Sequence, residues 1–162
     1  MKAQQHIETD QVQEVASLLV PLSDKLLLMP NVTVAEIVPL GELEQDDAAP
    51  DWLLGRMTWR ELSVPLMSLE VLNGHEAPEV SRSARVAVLN TTGLSDELGF
   101  IAILTQGLPR LARVIPSEIS EREDLTPDTY DEMVVSWSGE TAVIPAVAQL
   151  EQTYLNYLLG DV

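Results

Sequence analysis

Trp52-Leu53-Leu54-Gly55-Arg56-Met57-Thr58-Trp59-Arg60-Glu61-Leu62-Ser63-Val64-Pro65-Leu66-Met67-Ser68-Leu69 is the stretch that decides the fold of this chain. Reading from Gly55, Met57 and Trp59 fall on one face of an extended chain, and Arg56, Thr58 and Arg60 on the other. After Glu61 the alternation resumes, with Leu62, Val64 and Leu66 on one side. Period-two patterning in two adjacent segments predicts two half-buried strands joined by a tight turn near Arg60-Glu61. Pro65 has no N–H for a ladder, which predicts a sheet edge or a bulge in the second strand. An exposed edge beside a single cation is a place where another protein can dock.

Around this hairpin the composition sets limits. A chain of 162 residues forms one folding unit, or two small lobes sharing a core. Apolar residues make up 46% but aromatics only 4%, so the interior is built from Leu, Val, Ile and Ala. There is no cysteine, which excludes a disulfide scaffold, a thiolate metal site and a cysteine nucleophile. No apolar run approaches the roughly 20 residues of a membrane span, and no basic n-region leads an apolar one. The expected location is therefore cytoplasmic, without membrane insertion. Nine Lys and Arg against 26 Asp and Glu give a net charge of −17. Such a surface repels phosphate backbones and anionic lipid, so neither nucleic acid nor a membrane surface is an expected partner.

The remaining elements follow from pattern. Residues 1–14 are polar and read as a flexible leader, and 15–162 as the folded domain. Val15 to Leu22 and Leu26 to Met29 read as strands, the second stopped by Pro30, and Val32 to Val38 as another. Gly41 to Asp51 is a solvated acidic loop. Asn73-Gly74 marks a turn, and His75 to Ser83 a crossing between lobes. A second apolar set follows at Val86–Leu89, Phe100–Leu104 and Leu108–Val114. Met133–Trp137 and Thr141–Ile144 flank Ser138-Gly139-Glu140 as a hairpin. The period then changes: Val147, Leu150, Tyr154, Tyr157 and Leu158 share one helical face, with Pro145 before it and Gly160 after it. Pattern alone therefore gives a mainly β chain ending in a helix over about 146–159.

The chemistry of an enzyme is not legible. His6 and His75 have no companions at metal-ligand spacing, so no metal is expected. Ser63, Ser68 and Ser136 lack a histidine base. The eight glycines stand apart, so no phosphate-cradling loop and no cofactor is expected. Carboxylate pairs such as Asp46-Asp47 and Glu123-Asp124 sit in loops, where solvated charge is the ordinary outcome.

Leu54-Gly55, Thr58-Trp59-Arg60-Glu61, Val64-Pro65-Leu66 and Ser68-Leu69 run in register with a segment of the CheW-like coupling domains. That segment reads leucine-glycine, then asparagine-leucine-arginine-glycine, then an apolar strand with proline, then aspartate-leucine. Val34-Ala35-Glu36-Ile37-Val38 resembles the family's valine-x-glutamate-isoleucine strand, and Leu98-Gly99-Phe100-Ile101-Ala102-Ile103 its second glycine-led strand. The likeness spans about Leu18 to Leu159 and extends to the CheW-like proteins of the chemosensory system that governs type IV pili and twitching motility. It implies two SH3-like, five-stranded β-barrel lobes, one over about 15–74 and one over about 84–145, sharing the C-terminal helix. It also implies a non-enzymatic adaptor that couples the cytoplasmic tip of a chemoreceptor to the regulatory domain of a CheA-like histidine kinase, at membrane-associated receptor arrays.

Val34, Glu36, Gly55, Arg60, Val64 and Leu66 are the partner-binding candidates that the resemblance supplies. Arg60 has two readings: a strand arginine paired with a nearby carboxylate such as Glu36, or part of a docking surface. The chain departs from the family pattern at Glu61 (glycine), Ser68 (aspartate) and Ile103 (aspartate). Those departures bear on partner choice. The rival readings are a small acidic β-barrel that binds a ligand, an orphan hydrolase with an acidic cleft, and an acidic nucleic-acid mimic.

Overall fold

The computed structural model describes residues 13–160, so most of the expected leader lies outside the described residues. Eleven strands form two antiparallel-rich sheets. They are β1 (Val15–Pro21), β2 (Leu26–Pro30), β3 (Val34–Pro39), β4 (Leu53–Trp59), β5 (Leu62–Met67), β6 (Arg85–Asn90), β7 (Phe100–Thr105), β8 (Arg110–Val114), β9 (Ile119–Glu121), β10 (Asp131–Trp137) and β11 (Glu140–Pro145). A short helix α1 (Leu69–Leu72) follows β5, and α2 (Val147–Leu158) follows β11.

Lobe A is the six-stranded sheet β8-β1-β2-β11-β10-β9, and lobe B the five-stranded sheet β3-β6-β7-β5-β4. The lobes therefore do not divide the chain at 15–74 and 84–145. The β1–β2 hairpin pairs with β8 and β11, and β6 and β7 pair with β3 and β5. Lobe B is continuous from Val34 to Thr105, and lobe A joins the first two strands to the last four. His75 to Ser83 accordingly connects two elements of lobe B and crosses nothing. Lobe A has a sixth strand because β9 adds three residues to the edge of β10.

Three cores explain why four strands read as unbroken apolar runs. Met57, Trp59, Val64, Leu66, Val86, Val88, Ala102 and Leu104 fill lobe B. Leu19, Leu28, Ala112, Val114, Val135 and Ala142 fill lobe A. The opposite faces of the same strands, Val20, Leu27 and Met29 from lobe A and Ala87, Leu89, Ile101 and Ile103 from lobe B, meet in a third core between the lobes. β1, β2, β6 and β7 are thus buried on both sides, and alternation is lost from their sequence. Ile103, completely buried, sits in that central core, where an aspartate would be expensive to bury.

α2 closes the junction. Leu150 and Tyr154 are buried in the central core, while Tyr157 meets Trp52 of lobe B edge to face at 6.0 Å. Leu158, expected on the buried face, is 53% exposed. Gly160 at φ 82° ends the helix, its N–H bonding the Tyr157 carbonyl at 3.0 Å. Ser68 caps α1, its hydroxyl accepting the Val71 N–H at 3.3 Å. Serine and aspartate both serve as N-caps, so this departure preserves the local structure.

Candidate functional site

The β4–β5 hairpin turns through Arg60 at φ 49° and Glu61 at φ 66°. Trp59 pairs with Leu62 on either side, which is the two-residue turn that matches the strands' twist. Two left-handed residues, neither glycine, hold the turn, and both side chains are exposed. The neighbouring Trp59 points inward at 6% exposure and stacks edge to face on Phe100 at 4.7 Å.

β3 and β4 are the two edges of lobe B, and side chains join them. Trp59 Nε1–H donates to Glu36 Oε1 at 2.9 Å, and an Arg60 guanidinium N–H donates to the same oxygen at 3.2 Å. The guanidinium lies 4.6 Å from the Trp59 ring centroid, within cation–π range. The ion pair expected between Arg60 and Glu36 is therefore present, and it lies at the surface with side-chain exposures of 66% and 43%. Beside it, Val38, Pro39, Gly41, Glu42, Met57 and Thr58 line a shallow hollow.

The other candidates divide. Val34 and Glu36 line a second hollow with Leu18, Asn31, Ala35 and Ile37. Val64 and Leu66, at 1% and 0% exposure, point into lobe B and offer nothing to a partner. Alternation placed them on one face but could not say that this face was the interior. Gly55 is buried too, and its role is backbone approach. At φ 148°, a Cβ would come within 2.9 Å of the Glu44 carbonyl oxygen and 3.1 Å of Leu43 Cβ. Glu44 and Arg56 exchange backbone hydrogen bonds at 2.8 and 2.9 Å, so the acidic loop covers the β4 edge. β5 is an inner strand and not the edge that Pro65 allowed, and the irregularity in the β4–β5 pair lies on β4, where the register shifts between Leu53 and Gly55. The pairing of β5 with β7 begins only at Leu66, one residue past the proline, so no ladder bond to β7 is lost.

The hollow at Val34 shares Asn31 with another on lobe A, lined by Glu14, Ala16, Ser17, Leu111 and Arg113. Together they make a groove between the lobes. Across β1 and β8, Ala16 faces Arg113 and Leu18 faces Leu111, which is 77% exposed. Leu18, Asn31, Leu111 and Arg113 were not singled out from sequence. A signal existed in Leu111-Ala112-Arg113-Val114: the small alanine lies inside while the larger leucine faces out.

Elsewhere, two buried carboxyl groups are each engaged through one oxygen, the Oε1 of both having no partner among the described residues. Glu70 and Glu151, at 1% and 0% exposure, bind Ser23 and the Thr92 N–H. His75 lies between Asp24 and Asp128, and Lys25 reaches Asp128 at 2.8 Å. Burial works against the Lys25 ammonium. The hydrogen bond and charge of Asp128, with the charge of Asp131, outweigh it and hold the Lys25 pKa above its ordinary value. The Lys25 hydrogen bond likewise holds Asp128 below the usual carboxylate range. Among the described residues no three His, Cys, Asp or Glu are grouped to hold a metal, and no helix is long and apolar enough to cross a membrane.

Comparison with known proteins places these features in context. A family model described as the CheW-like domain matches residues 16–153. The scaffolding protein TtCheW from Thermoanaerobacter tengcongensis superposes with a TM-score of 0.69 at 15% identity, over 81% of this chain and 88% of that one. At that identity the likeness speaks for the fold. Among curated proteins none matches.

Proposed function

We infer, from the premise that this chain belongs to the CheW-like domain family, that it couples a chemoreceptor to a CheA-like histidine kinase. Membership makes it a non-enzymatic scaffold of chemotaxis signalling and removes the hydrolase alternative. In the proposed assembly the interlobe groove takes a helical hairpin of a receptor's cytoplasmic tip by its apolar face. The kinase's regulatory domain then meets the protein at the lobes' outer surfaces, and the complex works in the cytoplasm at receptor arrays. A place in the system governing type IV pili and twitching motility is the finer form of this proposal and is supported by the sequence resemblance.

The observation that carries the reading is the exposed Arg60–Glu36 pair, set beside a groove where Leu18, Val34 and Leu111 lie among polar residues, on an otherwise strongly acidic protein. Exposed ion pairs contribute about 0–1 kcal/mol to stability, so stability alone does not account for so constrained an arrangement. Arg60→Ala tests it. Thermal unfolding should shift little, whereas binding to a receptor tip fragment or the kinase regulatory domain should weaken by about 2 kcal/mol, roughly thirtyfold. Unchanged binding with a large fall in melting temperature would make Arg60 structural only.

A further inference from the structure

We propose that His75 is a proton-controlled latch across the lobe junction, which holds the segment before β10 against the end of α1 while its ring is charged. His75 follows α1 in lobe B, and its backbone N–H bonds the Glu70 carbonyl at 2.9 Å. Its ring lies between two carboxylates of lobe A. Nδ1 meets Asp24 in the β1–β2 turn, and Nε2 lies 3.3 Å from Asp128 Oδ2, ahead of β10. An ionised carboxylate only accepts, and a neutral imidazole has a single N–H. The neutral ring can therefore donate to one of the two acids, whereas the imidazolium can donate to both. None of Asp24, His75 and Asp128 lines the groove between the lobes, so the latch does not rest on the docking role of that groove.

The surrounding charges decide which contact is lost when the proton leaves. Asp128 Oδ2 also accepts from Lys25 Nζ at 2.8 Å, and Asp131 stands 3.3 Å from the same ammonium. Asp128 thus keeps a cation of its own lobe without His75. Asp24 has His75 as its only side-chain partner among the described contacts, and that contact is the closer of the two. Glu70 is engaged by Ser23, Glu76 is exposed beside His75, and neither is ion-paired with the ring among the described contacts. The single proton of a neutral ring accordingly stays on Nδ1, toward Asp24, and Nε2 turns a lone pair to Asp128. Release is one-sided: the β1–β2 turn stays tied to lobe B, while the segment before β10 loses a tie. Each side carries its own reporter across the junction. The Tyr130 N–H donates to Asn73 Oδ1 at 2.8 Å, and the Ser23 N–H donates to Glu70 Oε2 at 3.2 Å.

Hydrogen exchange at these two amides of the full chain, corrected for the intrinsic effect of pH on exchange, tests the latch. At about pH 5.5 and about pH 8 ordinary carboxylates are ionised and lysine is charged, so histidine is the residue type of this cluster that changes charge between them. The tie that needs the proton is complete at the acid end and is lost as pH rises. Protection of the Tyr130 amide should fall by about threefold between the two conditions, the size expected for a partly exposed ion pair, while that of Ser23 stays level. In His75→Gln, uncharged throughout, Tyr130 should be the less protected at both pH values and show no step. His75→Arg, charged throughout, should keep its protection at the alkaline end. His6 remains in both variants, so a step at Tyr130 that survives in His75→Gln overturns the latch. No step in the unaltered protein, or an equal step at Ser23, overturns it as well.

Discussion

Glu70, at the start of α1 in lobe B, accepts both the hydroxyl and the amide of Ser23 in lobe A on one carboxylate oxygen, at 2.9 and 3.2 Å. The bond spans the lobe junction at the β1–β2 turn, and Glu70 is 1% exposed. Glu70→Ala removes the acceptor of both bonds and leaves its fully buried site underfilled, while the donors of the exposed Ser23 turn to water. It should cost about 1–2 kcal/mol in urea unfolding, a fall of a few degrees in melting temperature. A loss under about 0.5 kcal/mol would show that the junction does not depend on this bond.

Glu61 occupies a left-handed position, φ 66°, without the glycine that suits it. Glu61→Gly relieves a conformation that costs an L-residue about 1–2 kcal/mol, offset by the greater freedom of glycine in the unfolded chain. The expected net gain is about 0.5–1 kcal/mol, or a rise of a few degrees in melting temperature. Calorimetry checks it, and a lower melting temperature would mean that the Glu61 side chain makes compensating contacts.

Gly55→Ala works the other way. The new methyl would meet the Glu44 carbonyl at 2.9 Å in a backbone conformation that alanine rarely adopts. The expected cost is about 2 kcal/mol. The amides of Glu44 and Arg56 should exchange hydrogen faster as the acidic loop lifts from β4. Unchanged protection at those two amides would count against the close approach.

The Lys25–Asp128 pair ties stability to pH in a definite direction. The folded-state pKa of Asp128 is depressed by its hydrogen bond to Lys25, so its contribution is present above the unfolded value of about 3.9 and is lost as pH falls through the folded value. The pKa of Lys25 is raised, so its contribution is complete below about 10.4 and is lost as pH rises through the folded value. Urea midpoints for the unaltered protein should therefore fall off below about pH 4 more steeply than those of Lys25→Met. Equal acid limbs in the two proteins would exclude the coupling.

How much of this was legible beforehand depended on the range of the interaction. The β4–β5 hairpin, the Ser138-Gly139 turn and α2 at Val147–Leu158 are local, and their periods and turn residues are written in adjacent positions. The Arg60–Glu36 pair joins two neighbouring edges and could be named in advance. The assignment of strands to lobes could not, because β1, β2, β6 and β7 are apolar on both faces and carry no mark of which neighbour each will take. Val64 and Leu66 became candidates through the family resemblance, and their alternation could not say which face of β5 is the interior. Glu70 and Glu151 are two acids among 26, and nothing in their flanking residues sets them apart from solvated ones.

The split composition of lobe A has a consequence for the order in which the protein is made. Lobe B is complete in sequence once Thr105 has left the ribosome, and it can close behind the emerging chain. The β1–β2 hairpin is synthesised earlier, but both of its outer edges stay unpaired until β8 and β11 follow. Until Pro145 emerges, that hairpin is the exposed, sticky part of the nascent chain. The pairing of β11 with β2, Val143 against Leu27, closes a longer stretch of chain than that of β8 with β1, and long closures are the ones that slow folding.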